Sequence, residues 1–451
     1  MNARYAHILW ALAVIGCGGS HKAAAPESMP GSYAKQAYAD RMSEPMAYPQ
    51  AMATGAPMAG APAAPPGLEL SLAAPKEKVA EVASAGVKAG EWDDNANYRD
   101  FQAYIAKQGG IHKLDIANRQ FVVVEDKSGR GVPNCALSIA GGQTRASLTT
   151  LSSGRAMLFP SALGFSGDAL EVSAKCGTQT VTGKIDLREP DGLTRLKLEV
   201  DRSLPQKPVI ELAFILDTTG SMSEEIEGVK STIDEVVKKF DQSVTVRVGL
   251  VEYKDQGDTF VTRAFQFTND LAAFRQQIDG LSASGGGDTP EDVNAGIASA
   301  LSELKWSKDA SSRVAFLIAD APPHLDYPNT VQYPTSAKKA AAAGIKVFTI
   351  SASGMDDIGQ ATFRQIAQFT GGSNMFVLRG GAGPQSTGAG DAKSSCGDTH
   401  ANFSSGNLHE LIIHKVKLEV AALKADPLAI AGRGKDENAK PCNERVLLVA
   451  Q

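Results

Sequence analysis

Hydrophobic and polar positions in the second half of the chain follow two alternating periods. Val209–Leu216 is a nearly continuous apolar run, which is typical of a strand buried on both faces of a parallel sheet. From Ile226 to Phe240, apolar residues recur at helical spacing instead. The alternation of strand and helix continues to Leu423. It predicts an α/β domain built on a doubly wound, mostly parallel sheet.

The same pattern sets the bounds of this domain, which we predict at residues 207–423. Its strands are predicted at 209–216, 244–251, 260–267, 314–318, 345–350 and 375–378. Its helices are predicted at 226–240, 271–281, 293–306, 336–343, 363–369 and 408–423. A Gly-rich stretch at about 380–403 is predicted to be an insertion before the last helix. Residues 424–451 follow as a C-terminal tail.

Residues 119–203 have a different pattern, with short apolar runs separated by Gly turns. Leu196, Leu198 and Val200 alternate with charged residues, which is the period of a half-buried strand. About seven such runs predict a small all-β sandwich. Segments 126–133 and 150–159 resemble the carboxypeptidase-regulatory-like, or transthyretin-like, family. That resemblance implies a spacer or binding module.

The chain begins with an apolar run, Ile8–Ile15, behind Arg4. The run is too short to span a bilayer and suits the core of a secretory signal. The sequence that ends in Gly16 and Cys17 resembles the lipobox of bacterial lipoproteins. The resemblance implies a signal peptide at 1–16, cleavage before Cys17 and lipidation of that cysteine. The alternative is an ordinary signal peptide cut after Ala23–Ala25.

Residues 17–90 are predicted to be a flexible linker. Between Ala51 and Pro66 the chain is almost entirely Ala, Gly and Pro, which leaves too little apolar surface to offset the entropy of ordering. The linker would hold a folded body away from the membrane surface. Residues 91–118 are predicted to be a partly helical connector.

The cysteines indicate the compartment of the protein, and the net charge excludes one class of partner. Besides Cys17, the chain has four cysteines, and an oxidising compartment would allow the pairs Cys135–Cys176 and Cys396–Cys442. The sequence alone does not fix this connectivity. The formal net charge is -5 and there is no long basic block, so we expect no nucleic-acid partner.

One motif carries candidate chemistry where the first buried strand ends. Asp217, Thr219 and Ser221 alternate there, with Gly220 between the two hydroxyls. Ligands of open α/β sheets bind at the carboxyl ends of strands. One carboxylate and two hydroxyls form a hard oxygen site that suits Mg²⁺, while Mn²⁺ and Ca²⁺ remain open. The alternative interpretation is that these residues only cap the next helix.

The Asp217-x-Thr219-x-Ser221 pattern resembles the D-x-S/T-x-S signature of the von Willebrand factor A (VWA) domain family. Gly285–Glu291 resembles the loop that supplies the family's third ligand segment, and Asp320 follows a buried strand as in the family. The resemblance implies a Rossmann-like fold and a metal-ion-dependent adhesion site. Its ligands here would be Asp217, Thr219, Ser221, Asp288 or Thr289, and Asp320. An Asp or Glu of a protein partner would complete the metal's coordination.

Three other features have simpler interpretations. His409 and His414 are five residues apart, about 140° around a helix, so they cannot share a metal as the HExxH motif does. His324 is interpreted as a loop residue, with a contact near the metal as the alternative. Asp255 and Asp258 are interpreted as turn residues, with an accessory Ca²⁺ site as the alternative.

These observations predict a lipid-anchored, non-enzymatic adhesion protein of the cell envelope. Gly18, rather than Asp, follows Cys17, and by resemblance to bacterial lipoproteins this favours the outer over the inner membrane. The alternative function is an accessory or scaffolding subunit of an envelope or secreted enzyme complex. We find no nucleophile and base at a recognisable catalytic spacing.

Overall fold

The computed structural model describes residues 88–239, 243–352, 354–377 and 404–424. The predicted signal peptide, Cys17, the linker up to residue 87, Cys396 and Cys442 lie outside the described residues. So do residues 380–403 and all but the first residue of the tail. Among the described residues, no helix is both long and apolar enough to cross a bilayer.

Residues 120–197 form two small sheets around one hydrophobic core. The strands are β2 (Gln120–Glu125), β3 (Ala136–Gly141), β4 (Thr144–Thr149), β5 (Arg155–Leu158), β6 (Ala169–Cys176), β7 (Gln179–Asp186) and β8 (Gly192–Lys197). One sheet has the order β5-β2-β8 and the other β4-β3-β6-β7. Apolar residues of both sheets, such as Val122 and Leu137, share the core. A disulfide joins Cys135 to Cys176, which is the first of the two predicted pairs.

The second half of the chain forms the main sheet. Its strands are β9 (Val209–Asp217), β10 (Thr245–Tyr253), β11 (Thr262–Thr268), β12 (Ser312–Ala319), β13 (Ile345–Ser351), β14 (Asn374–Val377) and β15 (Ser404–Asn407), joined by β1 (Lys88–Trp92). The strand order is β11-β10-β9-β12-β13-β14-β1-β15. The neighbours from β10 to β14 are parallel. Strands β11, β1 and β15 pair antiparallel, so the mostly parallel sheet is confirmed.

Helices cover the two faces of this sheet. They are α2 (Ile226–Lys238), α3 (Leu271–Asp279), α4 (Val293–Ser302), α5 (Tyr333–Ala343), α6 (Asp357–Thr370) and α7 (Leu408–Ala422). Residues of α2, α3 and α7 share one core with Phe214 of β9. Residues of α4, α5 and α6 share another with Ile215. Successive residues of a strand point to opposite faces, so the two cores lie on opposite sides of the sheet, as the doubly wound prediction requires.

Residues 88–118 are an integral part of the fold, which corrects two predicted boundaries. Strand β1 extends from the predicted linker into the predicted connector and pairs with β14 and β15. Helix α1 (Tyr98–Lys107) buries Phe101 and Tyr104 in a core with residues of α5 and α6. The linker therefore ends before residue 88, and the α/β unit begins well before residue 207.

A buried ion pair ties this N-terminal segment to α6. Arg364 donates two hydrogen bonds to Asp94, at 2.9 Å from Nε and 2.6 Å from Nη2. The guanidinium also lies 4.2 Å from the ring centre of Tyr104. Both charged side chains are almost completely buried, so the pair depends on these contacts to offset its desolvation.

Candidate metal centre

Two neighbouring strands bring the predicted ligands to one edge of the main sheet. Asp217 is the last residue of β9 and Asp320 directly follows β12. The two strands are parallel neighbours, with Leu216 opposite Ile318, so their carboxyl ends meet. After Asp217 the chain turns into a short 3-10 helix, Gly220–Glu224, which carries Ser221 over the strand ends.

A chain of hydrogen bonds joins four of the predicted ligands. Thr219 donates to Asp217 Oδ1 from its backbone nitrogen at 2.9 Å and from Oγ1 at 2.7 Å. Ser221 Oγ donates to Asp320 Oδ1 at 2.9 Å. The two hydroxyl oxygens lie 3.1 Å apart. The structure thus places Asp217, Thr219, Ser221 and Asp320 together.

The proton count of this group leaves room for a cation or for one more hydrogen-bond donor. A hydroxyl has one proton to donate. In the arrangement above, Thr219 donates to Asp217 and Ser221 donates to Asp320. The two hydroxyl oxygens then face each other through lone pairs, which only an additional donor or a cation would satisfy. Within the described residues, the buried Asp217 Oδ2 makes no hydrogen bond of good geometry, although the nearby Tyr253 hydroxyl lowers the pKa of Asp217.

The group is buried on one side and open on the other. Asp217 and Thr219 are completely buried, whereas Ser221 is exposed. The group therefore has a buried base and a solvent-facing side. A cation bound there would be reached by a partner from the Ser221 side.

Burial and like charges raise the pKa values of the carboxylates in this region. Burial raises the pKa of Asp217 to about 7, against the lowering effect of the Thr219 hydrogen bonds, and the Asp320 charge adds to the increase. Burial also raises the pKa of Glu291 to about 8, with contributions from Asp217 and Asp255. A divalent cation would remove much of this cost, because it stabilises the ionised form of each carboxylate.

Glu291 belongs to this region, although sequence reasoning gave it no role. A Cβ at Gly286 would lie 2.8 Å from Glu291 Oε1 and 3.2 Å from Thr219 Cβ. Among the described residues, the buried Glu291 Oε2 has no hydrogen-bond partner. The Gly285–Glu291 motif contained this residue, but only the fold shows that its carboxylate turns towards Thr219.

Backbone contacts hold the loop of residues 284–291, called the Gly-rich loop below, against the turn after Asp217. Gly220 N donates to Gly285 O at 2.9 Å, and Ser284 N donates to Thr218 O at 3.0 Å. The buried Lys254 ammonium donates to the carbonyl oxygens of Thr218 and Ser284. Lys254 is a second contributor that the sequence did not reveal.

The other two candidate ligands lie apart from this hydrogen-bonded group. In the part of the chain that the structure describes, no hydrogen bond links Asp288 or Thr289 to the four residues above, and both are exposed. The Asp288 carboxylate instead lies within 4.8 Å of ligand atoms of Asp255 and His324. Asp288 does not cap α4, because Asp292 is the residue that accepts from Ala295 N at the start of this helix.

The donor set fits a hard divalent cation. Two carboxylates and two hydroxyls offer oxygen atoms only, and an all-oxygen set suits Mg²⁺, Mn²⁺ or Ca²⁺. The small number of protein charges favours an ion that keeps some of its waters, which is the usual behaviour of Mg²⁺.

Comparison with known proteins identifies the domain that carries this site. Residues 211–380 match the family model of the von Willebrand factor type A domain. The chain contains a VWA domain. The matched span includes Asp217, Thr219, Ser221, Glu291 and Asp320, and it ends before α7.

Curated relatives resemble the chain over about a quarter of its length. The alpha-protein kinase vwkA of Dictyostelium discoideum is 37% identical over 120 residues, which are 26% of this chain and 19% of that protein. The von Willebrand factor A domain-containing protein 7 of Homo sapiens is 35% identical over 127 residues, or 26% of this chain and 14% of that protein. The chain thus spans less than a fifth of either relative's length.

Solved structures resemble the chain at low similarity only. Proximal thread matrix protein 1 from the mussel byssus is 15% identical, with a TM-score of 0.30, over 37% of this chain and 41% of that one. One structure of the mussel protein has a zinc-occupied MIDAS motif, where MIDAS stands for metal-ion-dependent adhesion site. BatB from Bacteroides thetaiotaomicron is 15% identical, with a TM-score of 0.32, over 48% of this chain and 98% of that one.

Proposed function

We propose that this protein is a lipid-anchored, metal-dependent protein-binding protein of the cell envelope. The VWA domain in residues 211–380 supports a protein-interaction role. The observation that carries the metal dependence is the convergence of Asp217, Thr219, Ser221 and Asp320 around oxygen atoms that lack sufficient donors. The function is binding rather than catalysis.

The carboxylates and the hydroxyls of the site make different contributions to cation binding. Asp217 and Asp320 supply the negative charge, and both come from strand ends that the sheet holds in place. Thr219 and Ser221 supply neutral oxygens, so the site neutralises a divalent ion without excess charge. When bound, the ion supplies an electrophilic centre for an acidic group of a partner. The exposed position of Ser221 supports approach from that side.

The proposed partner is a protein that presents an Asp or Glu side chain. A carboxylate on a divalent cation gives a strong contact that a chelator reverses, because the contact disappears with the ion. The oxygen-only donor set supports Mg²⁺ as the proposed metal, with Mn²⁺ or Ca²⁺ as alternatives.

The anchor is proposed from the sequence around Cys17. Cleavage before this residue and its lipidation would attach the protein to a membrane, and residues 18–87 would join the attachment point to the folded body. The outer membrane is the proposed location. Membrane fractionation tests the anchor: Cys17→Ala should move the protein to the soluble fraction, and a variant that stays in the membrane pellet would contradict it.

Crosslinking on intact cells tests the binding function. We compare the wild type with and without EDTA, and with Asp320→Ala. Asp309→Ala is the matched control, because Asp309 is an exposed aspartate before β12 whereas Asp320 follows the same strand. We expect a captured protein that is lost in EDTA and in Asp320→Ala but retained in Asp309→Ala.

Capture that persists in EDTA and in Asp320→Ala would contradict the metal-dependent function. The nature of a captured partner decides between the two candidate functions. A surface or matrix ligand supports adhesion, and a stoichiometric complex with an envelope or secreted enzyme supports an accessory role.

A further inference from the structure

A second cluster of potential ligands lies beside the candidate metal centre. It consists of Asp255 after β10, Asp288 in the Gly-rich loop and His324 after β12. One ligand atom from each side chain lies within 4.8 Å of the others. We propose that Asp255, Asp288 and His324 form a separate binding site for a divalent transition-metal ion, with Zn²⁺ as the best-fitting ion. This site goes beyond the proposed adhesion function.

The hydrogen bonding of the buried His324 ring is the main observation. Its Nδ1 lies 2.8 Å from Asp326 Oδ1, so a neutral ring donates its one proton there and keeps a free lone pair on Nε2. The His324 side chain is only 8% exposed. Among the described residues, Nε2 has no hydrogen-bond partner. A carboxylate on one ring nitrogen and a metal on the other is a common arrangement for ligating histidines.

Asp255 faces this nitrogen and is itself held in place. Its Oδ2 lies 3.7 Å from His324 Nε2, which is too far for a hydrogen bond. In a tetrahedral zinc site with ligand atoms 2.0–2.1 Å from the ion, two ligand atoms lie about 3.3 Å apart. The distance between Asp255 Oδ2 and His324 Nε2 is close to this value. Tyr327 Oη lies 2.9 Å from both Asp255 oxygens. The Tyr327 ring also stacks on His324, with 3.8 Å between the ring centres.

Two hydrogen bonds hold the His324 backbone against the start of α4. His324 N donates to Glu291 O at 3.0 Å, and Asn294 Nδ2 donates to His324 O at 2.6 Å. Two of the three ligands are therefore buried and preorganised. Asp288 is exposed on the loop and leaves the site open to solvent, so ion exchange and a water ligand are both feasible.

The donor set distinguishes this site from the first one. One imidazole nitrogen and two carboxylate oxygens match the ligands of Zn²⁺ sites with three protein ligands and an open position. Imidazole also favours transition metals over Mg²⁺ and Ca²⁺. A simple charge pair between a protonated His324 and the two aspartates is the competing explanation, and it predicts no zinc binding.

Calorimetric titration of Zn²⁺ into the purified full-length protein, in excess Mg²⁺, tests the site. The variants His324→Gln and Asp288→Asn each remove one ligand. Because Asp288 is exposed, we expect Asp288→Asn to fold normally. Asp326→Asn removes the partner of Nδ1 and should weaken binding by about 10- to 100-fold. His409→Gln on α7 is the matched control.

The proposal predicts one Zn²⁺ bound by the wild type, by His409→Gln and by Asp217→Asn. It predicts loss of that binding in His324→Gln and Asp288→Asn. Failure of the wild type to bind zinc would overturn it. Wild-type affinity in either ligand variant would also overturn it, as would equal loss of binding in Asp217→Asn, which would mean that zinc uses the first site.

Discussion

Ser221 Oγ donates a hydrogen bond to Asp320 Oδ1 across 2.9 Å, although 99 residues separate the two in the chain. The contact exists because β9 and β12 are parallel neighbours whose carboxyl ends lie at one edge of the sheet. Ser221 uses its only proton in this bond, and its oxygen then faces Thr219 Oγ1 at 3.1 Å. This hydrogen bond thus connects the candidate ligands that follow β9 with the one that follows β12.

Removal of the Ser221 hydroxyl should weaken metal binding without unfolding the protein. We expect Ser221→Ala to lower Mn²⁺ affinity by at least about ten-fold, by analogy with the loss of groups that orient metal ligands. Ser223→Ala is the matched control, since Ser223 is an exposed serine of the same 3-10 helix. Calorimetric titration measures both, and equal affinities in the two variants would count against Ser221 as a ligand.

The Asp217 carboxylate should link protein stability to the metal. Mg²⁺ at about 100 times its Kd should stabilise the wild type by about 2.7 kcal/mol. Asp217→Asn should be insensitive to Mg²⁺. It should also be more stable than the metal-free wild type, because it removes a buried acidic group whose pKa is raised to about 7. Thermal unfolding with Mg²⁺ or EDTA checks this, and a Mg²⁺-stabilised Asp217→Asn would contradict it.

The left-handed backbone of Gly285 should be essential to the loop beside both candidate sites. Its φ is +79°, and a Cβ there would lie 2.2 Å from Asp258 Oδ1. We expect Gly285→Ala to weaken binding of both Mn²⁺ and Zn²⁺, because the loop carries Asp288 and contacts Gly220. Gly287→Ala is the control, since a Cβ there meets no atom within 4 Å. Titration of each metal into both variants measures the difference, and unchanged affinities in Gly285→Ala would show that the loop adapts.

The buried Asp94–Arg364 pair should be important for stability. Asp94→Ala leaves the Arg364 guanidinium buried without its carboxylate partner, so we expect a loss of about 3–5 kcal/mol in the free energy of unfolding. Asp186→Ala removes a carboxylate from the exposed pair with Arg188 and should have almost no effect. Urea unfolding compares the two, and similar midpoints would show that residues 88–118 add little to the fold.

The sequence predicted the main sheet well because its central strands are buried on both faces. Val209–Leu216 is apolar almost throughout, and the structure places β9 at Val209–Asp217. Strand β1 has no such signal: its sequence is Lys-Ala-Gly-Glu-Trp, and backbone pairing to β14 and β15 holds it in the sheet. The buried Glu91 is compensated by Lys415 of α7, a partner that only the fold brings near.

The candidate metal centre was predictable only where its ligands follow strands directly. Asp217 and Asp320 stand at strand ends, so the parallel sheet brings them together. Glu291 and His324 lie in loops whose positions depend on tertiary contacts, such as the bond from His324 N to Glu291 O. Sequence analysis therefore gave Glu291 no role of its own, and it placed His324 near the metal only as an alternative. Asp288 was predicted with Asp217, but the Gly-rich loop carries it to Asp255 and His324.

The central claim is that Asp217, Thr219, Ser221 and Asp320 hold a divalent cation. The most direct test is a crystal structure of the full-length protein with Mn²⁺, recorded to detect anomalous scattering from manganese. We predict an anomalous peak among the side-chain oxygens of these four residues, and its absence in Asp217→Asn. Crystals of the folded wild type, saturated with Mn²⁺ but lacking a peak at this position, would contradict the account.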